Sequence, residues 1–359
     1  MNNKKKNVSA SCVHGNNSIC FVAGRSGGHI KPALTLAKEY KETYPESTIL
    51  FFSTHYELDK KIIQENNEVT VHIPLQLENV PRSLFGVPGY CIRLAWCIIK
   101  SLSLLHKYRP SEVISTGGYV SLPVCIAAKL LRIPITLYEL NALPGKATRM
   151  LAPLAKTIFV PFKKALASFP IDKVQYRSYP LQFHESLTKD QNKARTALHL
   201  SNSKKTVFIL GGSQGSVSLN NLVKQWIEYE TSLATTIQII HQTGSNDATP
   251  WQGLYAQKNI TAYVFTFSSS LEHFYQAADI IICRAGAGTL FEALFFKKPC
   301  LIIPLETKIT DHQVDNARAL CHEFPALMYM MHQREIMHNP HLFFETIQKL
   351  LKQTPQELK

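Results

Sequence analysis

Two side chains stand where glycine-rich turns would deliver them to chemistry. His29 follows two glycines in Gly24-Arg-Ser-Gly-Gly-His29, and Glu292 closes Arg284-Ala-Gly-Ala-Gly-Thr-Leu-Phe-Glu292. An imidazole at the mouth of a helix can take a proton or meet a phosphate, or it can simply cap the helix. A carboxylate in the second turn of a helix opened by glycines can accept both hydroxyls of a ribose, or it can be an exposed helical glutamate. Two more turns share the design. Gly211-Gly-Ser-Gln-Gly-Ser216 offers a run of backbone N–H groups and two hydroxyls, which suits a diphosphate although the P-loop lysine is missing. Ser115-Thr-Gly-Gly-Tyr-Val-Ser121 lets a ligand come close to the main chain at Gly117 and Gly118, with Tyr119 beside them. A fifth group, Tyr138-Glu-Leu-Asn141, sets a carboxylate and a carboxamide at a strand end; Asn141 could equally turn the chain before Pro144.

Each turn follows a short apolar run and precedes a helix-like stretch. Ser18–Ala23, Thr48–Phe52, Val69–Ile73, Glu112–Ser115, Pro134–Tyr138 and Lys156–Val160 read as strands alternating with helices. The rhythm weakens between Pro161 and Ser203 and resumes from Lys205–Leu210 to Cys300–Pro304. The expectation is α/β, two Rossmann-like doubly wound parallel-sheet domains facing across a cleft. The divisions are 1–17, a disordered lead-in; 18–181, an N-terminal domain; 182–339, a C-terminal domain; and 340–359, a final amphipathic helix. The 359 residues, 45% of them hydrophobic, suit two packed cores.

Composition narrows the function. A net charge of +13 admits nucleic acid, an anionic membrane or a polyphosphate as partner. No RNA-recognition signature, zinc spacing or base-reading helix supports nucleic acid. The first turn lacks the G-x-G-x-x-G spacing, and Ser53-Thr-His55 replaces the acidic residue a nicotinamide cofactor would need. None of the eight cysteines forms a C-x-x-C pair, which fits a reducing compartment without a disulfide framework. Tyr90–Leu105 is the nearest approach to a transmembrane helix, and it is short and carries Arg93 and Lys100. Before it, Leu84, Phe85 and Val87, flanked by Arg82 and Arg93, suit either a peripheral membrane contact or packing beneath a neighbour.

Together these motifs resemble the MurG family, bacterial transferases that add N-acetylglucosamine to undecaprenyl-diphospho-muramoyl-pentapeptide in peptidoglycan synthesis. The resemblance runs from about Ile19 to Ala319, with motifs in the family's order and spacing. The family's G-G-T-G-G-H stands as Gly24–His29, its G-G-Y-V-S as Gly117–Ser121, and its H-E-Q-N as Tyr138–Asn141. Its G-G-S-Q-G-A stands as Gly211–Ser216 and its R-S/A-G-A-x-T-x-x-E as Arg284–Glu292, while Asp311–Asn316 looks like its Q-x-x-N site.

The resemblance implies a GT-B glycosyltransferase that inverts the anomeric centre with neither metal nor cofactor. Its N-terminal domain would hold the lipid acceptor and its C-terminal domain UDP-N-acetylglucosamine, with the last helix returning to the first domain. By the same resemblance Ser26, Gly27 and Gly28 touch the donor diphosphate, as do Ser213 and Gln214. Gly117, Gly118 and Tyr119 line the substrate site and Asn141 meets the sugar. Phe267 holds the uracil by its backbone, and Gly286, Ala287, Gly288, Thr289, Leu290 and Phe291 line the nucleotide. Glu292 clamps the ribose, and His312 and Gln313 contact donor hydroxyls. His29 is the first candidate for the base and Glu139 the second. Gln182 stands where the family has an arginine that reaches the donor phosphate, and Arg25 is the cation the first turn offers instead. The implied location is the cytoplasmic face of the bacterial inner membrane, held peripherally by its anionic surface, with no nucleic-acid partner. Another GT-B transferase with a soluble or different lipid acceptor, or a non-catalytic protein on the same fold, are the alternatives; the apolar loop argues against a soluble acceptor, and His29 with Glu292 against a non-catalytic protein.

Overall fold

The computed structural model describes residues 18–353 apart from 25–26, 82, 184–189, 213–214, 231 and 307–310. The expected lead-in, 1–17, and the positions Arg25, Ser26, Arg82, Ser213 and Gln214 lie outside the described residues. One sheet comprises β1 (Ser18–Ala23), β2 (Thr48–Thr54), β3 (Val71–Leu75), β4 (Val113–Gly117), β5 (Ile135–Tyr138), β6 (Thr157–Val160) and β7 (Val174–Tyr176), in the order β3-β2-β1-β4-β5-β6-β7. The other comprises β8 (Lys205–Leu210), β9 (Ile237–Gln242), β10 (Ala262–Phe265), β11 (Ile280–Cys283), β12 (Cys300–Ile302) and β13 (Met328–Met330), in the order β10-β9-β8-β11-β12-β13. Every pairing is parallel. The central strands are buried along their whole length because helices cover both faces, which is why they read as continuous apolar runs. In each sheet the strand order reverses beside the first strand, and ligands of such sheets bind outside the carboxyl ends at that point.

The glycine turns in the first domain pack on each other. Gly118 has φ 90°, and a Cβ there would lie 2.8 Å from the Gly24 carbonyl oxygen. In the second domain Gly215, at φ 77°, would bring a Cβ to 2.5 Å from the Thr243 carbonyl oxygen. Both positions therefore require glycine for conformation and for space.

Two elements depart from the sequence reading. The apolar stretch is longer than Tyr90–Leu105: Leu84–Tyr108 has 25 residues and contains an 18-residue window with a mean hydropathy of 1.2, enough by length and composition to cross a membrane. Its fold role is different. It is the crossover between the parallel strands β3 and β4, and it buries Tyr90, Cys97, Ser101 and Leu105 on the domain, packing against the Ser121–Leu130 helix. The final helix, Pro340–Lys352, does not return to the first domain. It buries Phe343, Phe344, Ile347 and Leu350 against Trp226 and Ile227 of the second. Phe344 stacks on Tyr229, and Gln348 bonds Glu230 at 2.6 Å. Only Asn339 separates it from the Gln333–His338 helix beside β13, leaving no slack to cross between domains.

Candidate active site

A cavity of about 430 Å³ opens where the carboxyl ends of the two sheets meet. From the first domain Gly27, Gly28, His29 and Asn141 line it; Gln182 enters from the linker. From the second come Phe267, Gly286, Ala287, Gly288, Thr289, Glu292, His312 and Gln313. The turns expected to hold a ligand thus face one another, although they are separated by as much as 286 positions in sequence, from Gly27 to Gln313.

His29 sits at the start of the Gly27–Thr43 helix with Nδ1 2.7 Å from the Thr116 carbonyl oxygen, and Thr116 Oγ1 donates back to the His29 carbonyl at 2.8 Å. A carbonyl only accepts, so Nδ1 carries the proton. In the neutral ring Nε2 then keeps its lone pair, ready to accept a proton on the cleft side. Gly117 explains the fit: a Cβ there would stand 3.0 Å from the imidazole. Gly117 and Gly118 therefore support His29 and the first turn from behind, Tyr119 packs on the core, and none of the three lines the cavity.

Glu139 is not disposed as a base. Its buried carboxylate accepts from Asn141 N at 3.0 Å, Asn141 Nδ2 at 3.2 Å and Gly145 N at 2.9 Å. All of these bonds hold the loop that presents Asn141. The second candidate base is thus a loop anchor.

On the opposite wall Glu292 is half-buried, and Tyr275 Oη donates to its Oε2 at 2.7 Å. Burial raises the proton affinity of this carboxyl, opposed by the Tyr275 bond and the Lys31 charge. The helix that carries it, Ala287–Phe295, begins at Gly286, where no side chain caps the first N–H groups. Those groups face the cavity and suit an anion. Leu290 and Phe291 differ from expectation. Leu290 is wholly buried in the core, and Phe291 is wedged between Tyr179, stacked at 5.1 Å, and Phe162, edge-on at 5.0 Å. The Phe291 side chain joins the two domains, and neither side chain lines the cavity.

Two residues gain roles that the motifs did not disclose. Arg284 donates through Nε to Ser216 Oγ at 2.9 Å, through Nη2 to Ser218 Oγ at 2.5 Å, and through Nη1 to the Ile303 carbonyl at 2.9 Å. Ser216 caps the Val217–Tyr229 helix, so Arg284 fastens that helix mouth to the ends of β11 and β12. Burial pushes the guanidinium down to about 10. Asn316, wholly buried, accepts from Ala142 N at 2.8 Å and donates to Asn141 Oδ1 at 3.2 Å and the Ala285 carbonyl at 3.4 Å. It is a polar rivet between the domains at the cleft floor. Lys164–Asp315 and Lys163–Glu323, each at 2.6 Å, add ion pairs along the same seam. Gln313 Oε1 is held by Leu305 N at 3.0 Å, which aims its amide group. Among the described residues no three His, Cys, Asp or Glu side chains gather as metal ligands.

Comparison with known proteins adds three findings. Residues 19–160 match the glycosyltransferase family 28 N-terminal domain and residues 206–359 the glycosyltransferase family 28 C-terminal domain. The chain is 30% identical over 345 residues to a Myxococcus xanthus protein named UDP-N-acetylglucosamine–N-acetylmuramyl-(pentapeptide) pyrophosphoryl-undecaprenol N-acetylglucosamine transferase, covering 95% of this chain and 86% of that one. A Bacillus pumilus protein of the same name is 33% identical over 309 residues, 84% of this chain and 82% of its own. The crystal structure of Acinetobacter baumannii MurG superposes with a TM-score of 0.73 at 23% identity, covering 95% of this chain and 92% of that one, a likeness of fold.

Proposed function

The chain belongs to glycosyltransferase family 28 and within it to the MurG transferases, and from that premise we propose how its cleft works. The protein transfers N-acetylglucosamine from UDP-N-acetylglucosamine to N-acetylmuramyl-(pentapeptide) pyrophosphoryl-undecaprenol. An acceptor hydroxyl oxygen attacks the anomeric carbon while His29 Nε2 takes its proton. The bond from that carbon to the UDP oxygen breaks, UDP leaves with the electron pair, and the sugar inverts. The open N–H groups at Gly286–Thr289 receive the diphosphate charge. Glu292, steadied by Tyr275, accepts the ribose hydroxyls. The observation that carries this reading is one cavity joining a tautomer-fixed imidazole on one domain to an uncapped helix mouth and a carboxylate on the other.

The acceptor's polyprenyl chain stays in the bilayer, so the first domain must meet a membrane surface. The outer face of the Leu84–Tyr108 segment suits this. Phe85 is 98% exposed, Leu84 87%, Ile92 72% and Trp96 68%, beside exposed Arg93 and Lys100. The segment lies on the anionic inner leaflet with apolar side chains inserted and cations at headgroup level. Trp96 extends the contact beyond the loop residues Leu84, Phe85 and Val87. Turnover of labelled UDP-N-acetylglucosamine with the purified lipid acceptor tests the whole reading. Transfer only to the lipid acceptor is expected. Transfer to a soluble acceptor, or UDP binding with no turnover, would refute it.

A further inference from the structure

We propose that Lys31 is a specificity residue for the donor, a cation sent from the first domain across the cleft to the diphosphate of a nucleoside diphosphate. The inference rests on the donor-site reading above. Lys31 lines the cavity, and its Nζ lies over the Phe267 ring at 6.0 Å. It is also the charge that lowers the proton affinity of Glu292. Both of those partners are on the second domain, so the side chain already bridges the gap that the donor would fill.

Three further observations point to an anion. First, the other strong cation on the cavity wall is committed: Nε, Nη1 and Nη2 of Arg284 all donate to protein oxygens. The Lys31 ammonium donates no hydrogen bond to a described residue, and none of the ion pairs among them includes it. Second, Lys31 is the fifth residue of the Gly27–Thr43 helix, whose first turn has no acidic side chain. A helical side chain leans toward the N-terminus, so this ammonium adds to the positive end of the helix dipole. Such a local conflict is relieved by a bound anion, and conflicts of this kind collect at functional sites. Third, the linker residues that line the same cavity, Tyr179, Pro180, Leu181 and Gln182, are all neutral. A flexible ammonium is suited to a multiply charged diphosphate whose position shifts as the leaving-group bond breaks.

The test is calorimetry of the full chain with UDP and with uridine, at low and high salt. Lys31→Met is expected to weaken UDP binding by about tenfold or more while uridine affinity stays within about twofold. The salt dependence of UDP binding should flatten in the variant. Lys31→Arg should recover most of the affinity, which guards against a loss through misfolding. Equal losses for uridine and UDP would mean that Lys31 only packs on Phe267, and would overturn the proposal. Unchanged UDP affinity in Lys31→Met, or a loss that Lys31→Arg fails to restore, would overturn it too. Failure of the wild-type protein to bind UDP would instead refute the donor-site reading on which it stands.

Discussion

Replacing Glu292 with glutamine keeps the shape of the side chain and removes its charge. Tyr275 Oη can still donate to the remaining carbonyl oxygen, so the 2.7 Å bond and the helix should survive. What changes is the strength of any bond from a ribose hydroxyl. A hydrogen bond to a charged acceptor contributes about 1.5–3 kcal/mol, against about 0.5–1.5 kcal/mol for a neutral one. Two such bonds from a ribose, each weakened by about 1 kcal/mol, lower UDP affinity by roughly tenfold to a hundredfold. The assay is calorimetry with UDP and 2′-deoxy-UDP. The wild type should prefer the ribonucleotide, and Glu292→Gln should lose most of that preference. Acidity gives a second readout. Burial raises the carboxyl above its ordinary range, so wild-type UDP affinity should begin to fall at a higher pH than a free glutamate would dictate. The variant should lack that step. Unchanged UDP affinity, or an equal loss for both nucleotides, would refute the assignment of Glu292 to the ribose.

His29→Ala should leave UDP affinity and fold nearly intact while lowering turnover by about 10²–10⁴, the range for a positioned base; single-turnover rates check this, and a loss below about tenfold would remove His29 from the role. Leu84→Ser/Phe85→Ser/Trp96→Ser should abolish most flotation with anionic liposomes without changing solution UDP binding, since three exposed apolar side chains stabilise insertion by about 1.5–3 kcal/mol each. Equal flotation by both proteins would move the membrane contact elsewhere. Burial lowers His241 from 6.5 to about 3, with Asp247 opposing. A folded value below the unfolded one means the unfolded chain binds the extra proton. The stability this group contributes is complete above about pH 6.5 and is lost as pH falls toward about 3. Urea midpoints at pH 7, 5 and 4 should therefore drop less steeply in His241→Gln than in the wild type, and parallel slopes would contradict the argument.

Much of the fold was legible because parallel strands buried on both faces leave apolar runs, and the glycine turns mark where each run ends. The strands β7 and β13 were missed for the same reason. Each has three residues at a sheet edge, too few and too exposed for a pattern. The final helix was legible as an amphipathic helix, but its destination was not. A stripe such as Phe343, Phe344, Ile347 and Leu350 states that a face will be buried without stating against what. Glu139 and Asn141 were read as a pair of polar groups at a strand end. That one anchors the loop and the other reaches Asn316 depends on backbone N–H positions that no residue type encodes.

By itself the sequence determined the two alternating α/β halves, the turns that would carry His29 and Glu292, and the family those motifs resemble. These follow from local periodicity and from residues whose chemistry is limited by type and spacing. Only the tertiary structure decided that the turns share one cavity, that His29 presents Nε2, that Gly117 and Gly118 are supports, and that Lys31 crosses the cleft. Those outcomes depend on the orientation of one sheet against the other and on hydrogen bonds between residues far apart in the chain. Orientation is set by the packing of Phe291 between Tyr179 and Phe162 and by the Asn316 rivet, contacts whose partners are remote in sequence and become neighbours only after both domains have folded.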